Sequence, residues 1–188
     1  KTNKNLVVTT GINAPKILIA GCGTGNHSIN TASMFKDCDV LAIDLSLSSL
    51  AYAKRKTEEL GILNIEYLQA DILDLEKLDR QFDIIESVGV LHHMDNPMAG
   101  WKNLVNCLKP GGIMRIGLYS SLARQHITQL RDEIRQLNIS SSEDAMRSFR
   151  NQIITLEKEN YNSLFNSSYF YSMSMLRDLI FHVQEHQF

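Results

Sequence analysis

Three glycines, Gly21, Gly23 and Gly25, two aspartates, Asp44 and Asp71, and the pair His92-His93 are the residues here whose types and spacing can do chemistry. Glycines without Cβ let a ligand lie against the backbone, and a loop that feeds a helix collects backbone N–H groups at its positive end. Asp44 lies about twenty residues past the glycines, where nucleotide-binding α/β folds set a carboxylate on ribose hydroxyls. Capping the next helix is the alternative, but Ser46 is there for that. Asp71 follows a third apolar run and has its own alternative, capping the helical stretch around Asp74 to Leu78. An imidazole titrates near neutral pH, so His92 or His93 can act as a general base; packing beneath the loop and a backbone hydrogen bond are the plainer roles. Tyr119 is a further catalytic candidate. The glycine spacing is G-x-G-x-G, with Asn26 at the last position of the dinucleotide fingerprint G-x-G-x-x-G, which argues against a nicotinamide cofactor.

These residues need elements to position them. Ile17–Ala20, Val40–Ile43, Ile65–Gln69, Phe82–Ser87 and Ile113–Leu118 are short apolar runs that predict strands. Helices are predicted between them: one with Ile29, Ala32 and Phe35, and one opened by Ser46 with Leu47, Leu50 and Ala51, running to Leu60 and stopped by Gly61. A third is opened by Asn96-Pro97, with Trp101, Leu104, Val105 and Leu108 at core spacing, and Lys109 to Gly112 is predicted as a turn. Five strands alternating with helices predict an α/β, Rossmann-like doubly wound sheet of at least five parallel strands. All strand carboxyl ends then face one crevice.

Beyond Tyr119 the pattern turns helical. Ile127, Leu130, Ile134 and Leu137 form one stripe, and Met146, Phe149, Ile153 and Leu156 another, entered through Ser141-Ser142-Glu143-Asp144. Tyr161, Phe165, Tyr169, Phe170 and Tyr171 either pack the helical pair onto the sheet or line a substrate pocket over the crevice, and Leu176, Leu179, Ile180 and Val183 predict a last helix. The expected organisation is a polar lead over 1–15, a core over 16–119, and a helical, aromatic-rich extension over 120–188 within the same domain.

Composition narrows the function classes. The 188 residues are 44% hydrophobic with a net charge of -2, so no basic surface for nucleic acid is expected. No apolar run reaches the roughly 20 residues that span a bilayer, and residues 1–5 lack the apolar region of a signal peptide. Three cysteines, odd in number and without C-x-x-C spacing, point to a reducing compartment and a cytoplasmic location. His182-Val183-Gln184-Glu185-His186 matches the H-x-x-E-H spacing of a zinc peptidase class, but a third ligand is wanting and no metal is expected. A start without methionine suggests an excised module.

The loop I-A-G-C-G-T-G, Asp44, Q-A-D-I at 69–72, F-D-I-I-E-S-V-G-V-L-H-H at 82–93 and L-K-P-G-G at 108–112 together resemble class I S-adenosylmethionine (SAM) dependent methyltransferases. The resemblance covers about Lys16 to Tyr119. It implies a cofactor-binding set of Ala20, Gly21, Cys22, Gly23, Gly25 and His27, then Asp44 and Leu45, Asp71 and Ile72, and Ser87, Val88 and His92. Within that set the backbone of Gly21 to Gly23 would hold the methionine part, Asp44 the ribose and Asp71 the adenine amine with Ile72 beside the ring. Ser87 and Val88 would flank the sulfonium. The family's acidic residue two positions before the first glycine is replaced by Ile19, so the ammonium contact must come from carbonyls or another side chain.

The same resemblance implies methyl transfer to a small-molecule acceptor, with S-adenosylhomocysteine (SAH) as product. A SAM-binding regulatory or interaction module without turnover is the alternative. The extension, ending R-D-L-I-F-H-V-Q-E-H-Q-F, looks like methyltransferase modules that follow tetratricopeptide repeats in larger bacterial chains, which implies tethering to such a region. The family's closing antiparallel hairpin is expected to be missing from this chain.

Overall fold

Ile17 to Ala20 show no polar alternation because both faces of their strand are covered, and all four are at most 2% exposed. In the computed structural model, which describes residues 14–35, 37–156, 162–165, 168–181, 185, 186 and 188, they form β1 (Lys16–Ala20). It is the centre of a five-stranded sheet with β2 (Asp39–Asp44), β3 (Ile65–Gln69), β4 (Phe82–Val88) and β5 (Leu108–Gly117). The strand order is β3-β2-β1-β4-β5, and every pair is parallel. Successive connections run outward from β1 on both sides, so the order reverses between β1 and β4, which opens a crevice at the strand carboxyl ends.

Helices cover both faces. Leu18, Ala20, Leu41, Ile43 and Ile85 pack with Leu91 and Leu104 on one side; Ile17, Ile19, Val40 and Ala42 pack with Ala32 and Leu50 on the other. The helices are α1 (Asn26–Met34), α2 (Leu47–Glu59) and α3 (Pro97–Asn106), and a 3-10 helix spans Ile72–Leu78. Ser46 caps α2 by accepting from the Ser49 N–H at 3.2 Å, and Asn96 caps α3 by accepting from Ala99 at 3.1 Å.

Some expected core positions are corrected. Phe35, Leu47 and Val105 are exposed, and α1 instead buries Ser28, Thr31 and Ala32. The turn expected at Lys109 to Gly112 lies within β5, which begins at Leu108 and carries an irregularity in its pairing with β4 between Phe82 and Ile84. Lys109 holds the chain there: its Nζ donates to both Asp83 carboxylate oxygens, at 2.9 and 2.8 Å.

The chain divides into two compact units, Lys1–Leu118 and Tyr119–Phe188. The second contains α4 (Gln125–Gln136), α5 (Glu143–Leu156), the short α6 (Asn162–Phe165) and α7 (Ser168–Tyr171), and α8 (Met173–Ile180). Its core joins Ile127, Leu130 and Ile134 to Met146, Phe149, Ile153, Phe170 and Leu176. Phe170 is fully buried with Phe165 edge-on at 5.6 Å, whereas Tyr169 and Tyr171 are exposed. Leu137 and Leu156, expected on the buried stripes, are exposed at the helix ends. Tyr161, Val183 and residues 1–13 of the polar lead lie outside the described residues.

Candidate functional site

The carboxyl ends of β1 to β4 open on a cavity of about 600 Å³. Gly21 and Gly23 form its wall after β1, Asp44 and Leu45 after β2, Asp71 and Ile72 after β3, and Gly89, Val90 and His93 after β4. Asp95 and Asn96 complete it. Four loops distant in sequence meet because parallel strands deliver them all to one edge.

The glycine loop turns through left-handed φ at Gly21 (+83°), Gly23 (+52°) and Gly25 (+88°). The amides of Gly21, Cys22 and Gly23, ahead of the helix start, are engaged. Gly21 and Cys22 both donate to the Ile43 carbonyl at 2.9 Å, and Gly23 donates to Asp44 Oδ2 at 2.8 Å, because the end of β2 lies beside the loop. What the loop offers is close approach: a Cβ on Gly23 would meet no atom within 4 Å. A Cβ on Gly21 would strike Val90 at 2.2 Å.

Asp44 Oδ1 accepts from the Ser46 N–H at 2.9 Å, so two backbone bonds fix this carboxylate while each oxygen keeps further lone-pair capacity. Asp71 does cap its 3-10 helix, accepting from the Leu73 N–H at 2.9 Å, and its residue still forms part of the cavity wall. Asp44, Asp71 and Asp95 give the cavity three carboxylates, and among the described residues no Lys or Arg lines it. Such a wall accepts hydroxyl and amine protons, favours a cation and repels phosphate.

The remaining candidates lie off the wall. Ala20 is buried at the end of β1, and Cys22 is buried behind the loop, where burial and then the Asp44 charge push its thiol up to about 12. His27 Nε2 is 2.6 Å from Glu86 Oε2. Ser87 is buried with its hydroxyl unpartnered among the described residues, and Val88 is 45% exposed. His92 is fully buried, and its Nε2 lies 3.1 Å from His93 Nε2 with the rings edge-on at 4.2 Å, so of the two only His93 reaches the cavity wall. Tyr119 belongs to the second unit, where the Arg124 guanidinium sits 3.6 Å over its ring; burial pushes its phenol up while Arg124 opposes the shift.

Sequence reasoning missed Asp95 and Gly89 in the cavity wall, and Glu86, the partner of His27 off that wall. A charged residue inside the apolar run of β4 was the available signal for Glu86. Of the H-x-x-E-H spacing, residues 182–184 lie outside the described residues, and Glu185 is engaged by Arg131 at 2.8 Å and Arg124 at 3.3 Å. Among the described residues no cluster of three potential metal ligands occurs, and no helix is long and apolar enough to cross a membrane.

Comparison with known proteins places this geometry in a family. The model described as "Methyltransferase domain" matches residues 17–112, about half of the chain. An uncharacterised protein of Synechococcus is 37% identical over 121 residues, 64% of this chain and 29% of that protein. (S)-coclaurine N-methyltransferase of Papaver somniferum is 32% identical over 98 residues, 52% of this chain and 28% of the enzyme. The chain thus spans less than a third of these relatives' lengths. Among solved structures, PKMT2 from Rickettsia typhi shares the fold at a TM-score of 0.71 and 20% identity, over 94% of this chain and 36% of that one. From the matched glycine loop through the Lys-Pro-Gly-Gly bulge of β5, the chain belongs to the methyltransferase domain family.

Proposed function

We propose that this chain binds SAM in the cavity at the sheet's carboxyl edge and transfers its methyl group to a small-molecule acceptor, releasing SAH. One observation carries the reading. The cavity pairs a glycine loop whose Gly21, Cys22 and Gly23 amides are engaged with a wall of carboxylates and, among the described residues, no Lys or Arg. A dinucleotide's pyrophosphate finds no amide cradle on those residues, whereas a cationic nucleoside finds acceptors for its hydroxyls and amine.

In this reading Asp44 accepts from the ribose hydroxyls, and Asp71 accepts from the adenine amine with Ile72 beside the ring. The Gly21 to Gly23 backbone receives the methionine part, where Gly23 leaves room. Ser87 and Val88, at the end of β4, flank the sulfur. When bound, SAM supplies a methyl group on a positively charged sulfur that is already a good leaving group. The chain's own task is to align the acceptor and to remove a proton where the acceptor carries one. His93, in the cavity wall and 3.1 Å from the buried His92, is the group suited to take that proton. The whole protein is read as cytoplasmic, with this module tethered to a tetratricopeptide-repeat region.

The test is transfer of labelled methyl from SAM to pooled amines, phenols and carboxylic acids, read as SAH release and product label. Transfer that falls at least about tenfold in Asp44→Ala supports the proposal. Tight SAH binding with no transfer to any pool would make the chain a SAM-binding module without turnover.

A further inference from the structure

We infer that the cofactor cavity continues past the adenine amine into a second cavity, which takes an apolar substituent carried on that nitrogen. The inference rests on the cofactor reading above and goes on to say which adenosyl ligands the site admits. The second cavity, of about 350 Å³, opens at the carboxyl ends of β2 and β3. Leu45, Ala70 and Asp71 belong to its wall and to the wall of the first cavity, so the two adjoin along these residues. Asp71, the residue assigned to the adenine amine, therefore stands at the boundary, and a group attached to that nitrogen passes from the first cavity to the second.

The chemistry of the second wall selects the substituent. Leu45, Leu68 and Leu78 make it apolar, and Leu45 is 65% exposed, so it carries apolar surface that a ligand gains by covering. Gln69 Nε2 donates to the Leu45 carbonyl at 2.9 Å, which ties the end of β2 to the end of β3 and fixes Leu45 at the boundary. The charges farther along the wall answer each other: Lys77 Nζ lies 2.6 Å from Asp74 Oδ1, with both side chains more than half exposed at the solvent rim. Asp71 Oδ1 accepts from the Leu73 N–H at 2.9 Å, and Oδ2 keeps its lone pairs for a further donor. An adenine amine with one substituent still offers that carboxylate an N–H; an amine with two offers none. The ligands admitted are therefore adenosyl compounds whose 6-amino group is a secondary amine with an apolar arm.

The test titrates the intact chain calorimetrically with SAH and with its 6-benzylamino and 6-dimethylamino analogues. The benzylamino analogue should bind within about threefold of SAH or more tightly, and the dimethylamino analogue at least about fivefold more weakly, since its last N–H for Asp71 is gone. Leu78→Gln, which alters the second wall and not the first, should weaken the benzylamino analogue by about 3- to 10-fold and leave SAH within about twofold. A benzylamino analogue bound more than about threefold more weakly than SAH would overturn the inference, because the amine would then face a closed wall. A smaller loss for the dimethylamino analogue, or a Leu78→Gln effect that is absent or equal for SAH, would overturn it as well. Those results leave the cofactor reading intact, since SAH still binds. Failure of SAH to bind the unaltered chain would instead overturn the cofactor reading and this inference with it. SAH binding also shows that the variant has folded.

Discussion

Gly23 and Gly25 lie two residues apart in one loop, at φ of +52° and +88°, yet alanine at the two positions should fail in opposite ways. At Gly23 an added Cβ meets nothing within 4 Å, so the substitution costs only the left-handed backbone, about 1 kcal/mol. For a chain of this length that is a fall in Tm of about 2–4 °C. The same Cβ projects where the cavity wall should press on a ligand, so SAH affinity should drop about tenfold or more.

At Gly25 the Cβ would stand 2.6 Å from Ala53 Cβ and 3.1 Å from both Ala53 Cα and Tyr67 Oη. Backbone of α2 must then move, and overpacking adds about 1–3 kcal/mol to the φ cost, for a Tm lower by about 5–15 °C. Trp101 is the chain's one tryptophan and lies in α3 of the same unit, so its fluorescence follows the melt while calorimetry follows SAH. Gly23→Ala that binds SAH as the unaltered protein does would refute the ligand's placement on the loop. Gly25→Ala that melts unchanged would refute the packing of the loop on α2.

Three further outcomes are expected. Burial pushes the Asp83 carboxyl up, but hydrogen bonds from Lys109 and the Lys16 N–H outweigh it and hold its pKa below the ordinary 3.8. A pKa depressed by folding adds stability above the unfolded value that disappears as pH falls below about 4. Asp83→Asn should therefore lower stability at pH 7 by about 1–3 kcal/mol and flatten the loss of the urea midpoint between about pH 5 and 2. Cys22, Cys38 and Cys107 are buried, and burial raises all three thiols, so iodoacetamide at pH 8 should label the folded chain more than about 100-fold more slowly than the urea-unfolded chain, as read by mass spectrometry. Glu185→Ala removes the buried carboxylate that holds Arg131 and Arg124, and should destabilise the helical unit by about 3–5 kcal/mol in chemical denaturation followed by circular dichroism.

The strands were legible because residues buried on both faces of a parallel sheet must form apolar runs, and Ile17 to Ala20 and Val40 to Ile43 could be little else. Asp44, Asp71 and Ser46 were legible because a strand end, a turn and a cap each demand a particular side chain. What failed to show was anything set by packing across the chain. Lys109 to Gly112 reads as a turn by composition, yet Lys109 reaches 26 positions back to Asp83 and keeps it in the strand. Phe35 and Leu137 have the right spacing for buried stripes but fall just past the last residues of α1 and α4, and Val105 is exposed in the last turn of α3. Glu86 reads as an intruder in an apolar strand until the register sets it beside Ile19 and His27, which precedes it by 59 positions, closes on it.

In the proposed reading the carboxylate-walled cavity is built for a cationic adenosyl ligand without phosphates. Competitive titration of the purified chain with SAM and NAD tests this, with the chemical shifts of labelled Gly21, Gly23 and Asp44 amides as the readout. Saturable shifts at those amides are expected with SAM at one equivalent per chain and none with NAD. Shifts driven by NAD, or SAM binding that leaves these amides unmoved, would contradict it.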